Sequence, residues 1–174
     1  MKYYNENGQL HREDGPAIED SNGDKAWYFN GELHREDGPA IEYSDGEKLW
    51  YFKGKLHRED GPAIEYSDGY KAWWINGEQH REDGPAVERA NGDKLWYFNG
   101  KIHREDGPAV EKSNGYKEWR INGEEYTEEE YKERIRKIRF KYFKKWKLIC
   151  DQPGKNLFNI RMNRAMNNIE ELCN

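Results

Sequence analysis

A chain of 174 residues has room for one ordinary domain or two small ones, which excludes a large multidomain enzyme. With 36% charged against 34% hydrophobic residues and a mean hydropathy of −1.31 it is too polar to be a membrane-spanning protein, while 14% aromatic content argues against disorder. The net charge of −5 conceals an acidic body, with 17 basic against 27 acidic residues over 1–126, and a basic tail, with 12 against 7 over 127–174.

The chain opens on MKYYNENG without an apolar leader stretch, and Cys150 and Cys173 both fall near its end. The expectation is a reducing, cytoplasmic setting and no structural disulfide. The string HREDGPA then begins at His11, His34, His57, His80 and His103, with a spacing of 23 each time. Between copies recur Gly23, Gly46, Gly69, Gly92 and Gly115, each after Asn or Asp, and then Trp27, Trp50, Trp73, Trp96 and Trp119. Gly31, Gly54, Gly77, Gly100 and Gly123 complete the unit. A fixed period of this kind means a repeat architecture.

Each unit reads as one β-hairpin. Asn-Gly or Asp-Gly supplies the positive φ values of a two-residue type I′ turn between runs such as AIEYS and KLWYF. Centring the turn on Asn22-Gly23 pairs Ile18 with Trp27, Ala17 with Tyr28 and Glu19 with Ala26. One face then gathers Ile18, Trp27 and Phe29, the better candidate for burial, and the other Ala17, Glu19, Ala26 and Tyr28. The same register sets Arg89 against Lys94 and Lys112 against Lys117, which implies a solvated end. Hairpins stacked side by side would form a single elongated antiparallel sheet with about 10 Å between equivalent residues of successive units.

The stretches Trp50–His57 and Ser67–Gly69, with their equivalents in the other units, resemble the MORN repeat family in its variant forms. The resemblance covers about residues 1–126 and implies a β-hairpin array used as a scaffold or interaction surface. The segment Arg-Glu-Asp-Gly-Pro-Ala stands where the usual family unit has a glycine after the histidine, so that loop is not carried over. Arrays of the HREDGPA type resemble those of bacteriophage, giant-virus and bacterial proteins. Such an origin would imply a virion component or an inhibitor occupying a host defence protein, in the virion or the host cytoplasm.

Histidines about 10 Å apart cannot share a zinc ion, whose ligands lie about 2 Å from it, and the same chemistry repeated five times is not how an active site is built. The sequence therefore predicts a non-enzymatic protein with no catalytic residue, metal, cofactor or small-molecule substrate. Asp14-Gly15-Pro16 reads as a turn, with Pro16 starting the next strand and Arg12 paired to Glu13, Asp14 or a neighbouring unit's carboxylate. If the repeated loops bind a protein partner or a second copy of the chain, the candidates are Arg35, Glu36, Arg58, Glu59, Arg81 and Glu82.

At the sixth expected unit Tyr126 replaces His, and Thr127 with Glu130 forms a capping box after which a helix is expected. Tyr131, Ile135, Ile138, Tyr142, Trp146 and Ile149 step as one apolar stripe, flanked by nine basic residues from Lys132 to Lys147. Pro153-Gly154 should end this helix, and a second one through Leu157, Ile160 and Leu172 would complete a helical hairpin over 127–174 that caps the sheet. The alternative to a cap is a tether that binds nucleic acid or an anionic membrane through Lys132, Arg136, Arg139, Lys144 and Lys147.

Overall fold

The computed structural model describes residues 1–150, with side chains through 144, and divides the chain into two compact units, Met1–Glu125 and Tyr126–Asn174. The fold is mainly β. One antiparallel sheet of eleven strands among the described residues runs Ile18–Glu19, Lys25–Ala26, Ile41–Glu42, Lys48–Leu49, Ile64–Glu65, Lys71–Ala72, Val87–Glu88, Lys94–Leu95, Val110–Glu111, Lys117–Ile121 and Glu124–Tyr126. Each strand pairs with the next in that order, so every unit adds two strands beside its neighbour. Strands this short hold only as members of a larger sheet.

Two expectations about the hairpin are corrected. The turn at Asn22-Gly23 is a three-residue loop: the Gly23 N–H donates to Asp20 C=O at 3.1 Å, the Asp20 N–H donates to Asp24 C=O at 3.0 Å, and only Gly23 in the loop has positive φ, +97°. The extra residue moves the register by one, so Ile18 faces Ala26 and Glu19 faces Lys25. The two-residue type I′ turn lies eight residues on. There Asn30-Gly31 takes φ of 49° and 85° and closes a second small hairpin, Tyr28–Phe29 with Glu32–Leu33. Each of the first four full units thus carries two hairpins instead of one, with equivalents at Tyr51–Phe52, Trp74–Ile75 and Tyr97–Phe98.

The shifted register explains the chemistry of the sheet. One row across it reads Glu19, Lys25, Glu42, Lys48, Glu65, Lys71, Glu88, Lys94, Glu111, Lys117, opposite charges alternating strand by strand. The like-charge contacts expected of Arg89 with Lys94 and Lys112 with Lys117 therefore do not arise. The adjacent row, on the other face, is apolar: Ile41, Leu49, Ile64, Ala72, Val87, Leu95 and Val110. Around Ile64, Ala72 and Val87 pack Leu56, Tyr70, Trp74, Leu95 and Tyr97.

Burial also departs from the expected Trp face. Ala17, Ala40, Ala63, Ala86 and Ala109 are fully buried, whereas the five repeat tryptophans are half-buried and Phe29 and Phe98 remain 45% and 41% exposed. The alanine carbonyls also join successive units, because the Trp27 N–H reaches Ala40 C=O at 2.8 Å and Trp50, Trp73 and Trp96 repeat the contact one unit on. A half unit that the repeat count overlooked precedes the array. Tyr3 occupies the Trp position, its N–H donating to Ala17 C=O at 2.9 Å, and the Tyr4–Leu10 bridge closes a loop one residue longer than its counterparts.

The helix α1, Glu128–Cys150, begins as its capping box requires. The Thr127 N–H donates to the Glu130 carboxylate at 2.9 Å and the Glu130 N–H to Thr127 Oγ1 at 3.3 Å. Of the expected stripe, Tyr131 and Ile135 are buried and Ile138 is half-buried, but Tyr142 is 64% exposed and Phe143 is half-buried beside it. Burial is therefore confined to the first turns. The side chains of Trp146 and Ile149, the Pro153-Gly154 break and the second helix lie outside the described residues. No described helix is long and apolar enough to cross a membrane.

Candidate functional site

The HREDGPA segment forms one contact set, repeated unit by unit. In the second unit Arg35 Nε donates to Asp37 Oδ1 at 2.8 Å, while Nη1 reaches Pro39 C=O at 3.2 Å and Glu42 Oε1 at 2.9 Å. The guanidinium lies 4.0 Å from the ring of Trp27, which belongs to the preceding unit. Arg58, Arg81 and Arg104 repeat this on Trp50, Trp73 and Trp96, and Arg12 lies on Tyr3 at 4.2 Å. The glycine of each loop packs closely against its arginine, since a Cβ on Gly38 would stand 3.0 Å from Arg35 Cζ, and its φ is not positive.

Histidine ties the two ends of a unit together. The N–H of Asn30 donates to His11 Nδ1 at 3.0 Å, and Lys53, Asn76, Asn99 and Asn122 donate likewise to His34, His57, His80 and His103. An accepting Nδ1 fixes the proton of the neutral ring on Nε2 and satisfies the first residue of the type I′ turn. The rings also pack at a tilt, His11 against Phe29 at 4.7 Å and His34 against Phe52 at 4.8 Å, a row interrupted where Ile75 takes the phenylalanine position.

Of the sequence candidates, Arg35, Arg58 and Arg81 are engaged inside these sets, with 21–23% of each side chain exposed. Glu36, Glu59 and Glu82 stand on the loop rims at 79–85% exposure, with the imidazole Nε2 3.7–3.9 Å away, beyond hydrogen-bonding distance. Successive loops enclose open clefts. One of about 840 Å³ lies between Arg12–Pro16 and Arg35–Asp37 over Trp27 and Phe29, one of about 680 Å³ over Trp50 and Phe52, and one of about 720 Å³ over Trp96 and Phe98. Sequence reasoning found the loops but missed the Arg–Trp stacks. The only signal was that Trp and Arg recur with the same period, which does not say that they touch.

On α1, Lys132 pairs with Glu128 at 2.7 Å, Arg136 is exposed, Arg139 is half-buried and Lys144 Nζ lies 4.5 Å from the Phe140 ring centre. The Lys147 side chain lies outside the described residues. Among the described residues no group of three or more His, Cys, Asp or Glu is arranged to hold a metal ion. No protein-family model matches the chain, and no curated protein matches it.

The loop carboxylates give the array an acid sensitivity of defined sign. The hydrogen bond from Arg58, with its charge, holds the Asp60 carboxyl below its ordinary value of 3.8, and Asp14, Asp37 and Asp83 are lowered in the same way. A depressed carboxyl stabilises the fold above the unfolded-state value and ceases to do so as pH falls through the folded-state value. Asp60→Asn is therefore expected to lower the urea midpoint at pH 7, with the deficit against the parent shrinking below about pH 4. A deficit that stays constant down to pH 2.5 would show that the Asp60 charge contributes nothing.

Proposed function

We propose that the chain is a non-enzymatic interaction protein in which a MORN-like hairpin array presents equivalent loop clefts to one extended protein partner. The observation that carries this reading is the recurrence of one cleft chemistry: a tryptophan and a phenylalanine at the base and an exposed glutamate on each rim. Sites weak singly gain affinity by acting together when the partner spans them. The five histidines support a structural role for the repeat, since each spends Nδ1 on the backbone. A cytoplasmic virion component or an inhibitor of a host defence protein would use the same surface.

The test is affinity capture from a lysate with three full-length baits: the parent chain, a loop variant (Glu36→Lys, Glu59→Lys, Glu82→Lys), and a helix variant (Lys132→Glu, Arg136→Glu, Arg139→Glu, Lys144→Glu, Lys147→Glu). A protein held by the parent and the helix variant and lost from the loop variant is the expected result. Loss with the helix variant alone would favour the tether reading, in which α1 binds anionic lipid, nucleic acid or a protein.

A further inference from the structure

We propose that the loop clefts bind an arginine-bearing peptide in the polyproline II conformation, with an arginine at every third residue entering successive clefts. The inference rests on the interaction reading above and names its partner.

The charge of the array selects a cation. Within each loop the arginine is matched by the aspartate beside it and by the sheet glutamate, as Arg35 is by Asp37 and Glu42. The rim glutamates Glu13, Glu36, Glu59 and Glu82 add negative charge at 79–85% exposure, on a body that carries 27 acidic against 17 basic residues over 1–126. Lys53 lines the first cleft, and its ammonium leans toward its own Phe52 at 5.2 Å.

The base of the cleft selects a flat cation. Phe29 and Phe98 are 45% and 41% exposed. A guanidinium stacks on such a ring while its edge pairs with carboxylates, whereas an ammonium is a compact point charge that prefers water. The array already holds guanidinium groups in this manner within itself, where Arg58 sits 4.0 Å from the Trp50 ring with Asp60 at 2.8 Å.

The pitch selects the conformation. Two strands per unit at about 4.8 Å place equivalent clefts about 10 Å apart. In polyproline II, three residues make one turn and advance about 9.3 Å, so residues i and i+3 project to the same side at nearly that distance. A β-strand puts alternate residues on one side, and its same-side steps of about 7 and 14 Å miss the pitch. A helix with arginines seven apart matches at about 10.5 Å, but the sheet twists by about 20–25° per strand, and a straight rod loses successive clefts that an extended chain can follow.

The experiment is fluorescence anisotropy with the full-length chain and three labelled synthetic peptides. The first carries arginines every third residue separated by Pro and Ser, the second has the same composition with the arginines contiguous, and the third is an alanine-rich helix with arginines seven apart. The first is expected to bind about tenfold more tightly than either of the others. The Glu13→Gln, Glu36→Gln, Glu59→Gln variant should weaken it about tenfold with an unchanged unfolding midpoint, since single exposed pairs are individually weak and act here together. Equal affinity for the first two peptides, tighter binding of the helix, or indifference to the glutamate substitutions would each overturn the proposal. If the first peptide has no advantage while a lysate partner still depends on Glu36, Glu59 and Glu82, the peptide chemistry is wrong and the interaction reading stands. If neither depends on them, both fail.

Discussion

Gly61→Ala is expected to cost the array about 2 kcal/mol in the parent chain and close to nothing when Arg58 is already alanine. The backbone at Gly61 has no positive φ, so alanine is conformationally acceptable there. The obstruction is the guanidinium: a Cβ would stand 2.9 Å from Arg58 Cζ and 3.1 Å from Nε. Relief requires Arg58 to leave the Trp50 ring, 4.0 Å away, and the Pro62 carbonyl, 3.2 Å away. The stack contributes about 1 kcal/mol and the carbonyl hydrogen bond about another, which sets the estimate. Arg58→Ala alone should cost a similar amount or more, because it also leaves Glu65 without its partner at 3.0 Å. Urea unfolding of the two single variants and the double variant gives the coupling directly. If Gly61→Ala costs the same in both backgrounds, the glycine is there for its backbone and the packing explanation fails.

The repeat period carried the fold class in full view, because sheet order follows chain order when every unit adds its strands beside the last. Register was harder to read. Asn-Gly occurs at both turns of the first unit, Asn22-Gly23 and Asn30-Gly31, and the dipeptide alone cannot say which has positive φ at both residues. In the second unit Lys53 adopts φ of 49° at the type I′ turn, which hides that turn further from a composition-based search. A one-residue error puts the wrong residue of the second strand on the apolar face, so that Trp27 is expected beside Ile18 where Ala26 stands. The alternation of Glu and Lys across the sheet was available as a corrective, since only the three-residue loop brings Glu19 opposite Lys25 and Glu42 opposite Lys48. The site was legible as a list of residues and not as contacts. Trp27 and Arg35 belong to consecutive units, whereas His11 and Asn30 belong to one, and a strict period is equally compatible with contacts within a unit and between units.

Removal of residues 49–71, one whole period of 23, is expected to leave a cooperatively folded chain, whereas removal of 49–70 should uncouple the array at the junction. The longer deletion joins Lys48 to Ala72, so Glu42 still faces a lysine, Ile41 meets Ala72 where it had Leu49, and Trp73 keeps Arg81 at 3.9 Å. The register and the Arg–Trp contact at the junction survive because each unit touches only the next, and the ring contact of His34 with Phe52 is lost to Ile75. The urea dependence of stability should fall by about a fifth, in proportion to the surface removed. The shorter deletion leaves an additional lysine in the strand, opposite Ile41, and turns each following side chain to the wrong face. Downstream units would then present charge to the apolar row and apolar groups to the row that receives Glu88 and Arg81. Two unfolding transitions, or a midpoint far below that of the longer deletion, are the expected signature in urea titrations followed by tryptophan fluorescence. Equal tolerance of both deletions would mean that the alternating charge row and the buried alanines do not hold the register, and that the loops alone set the positions of the units.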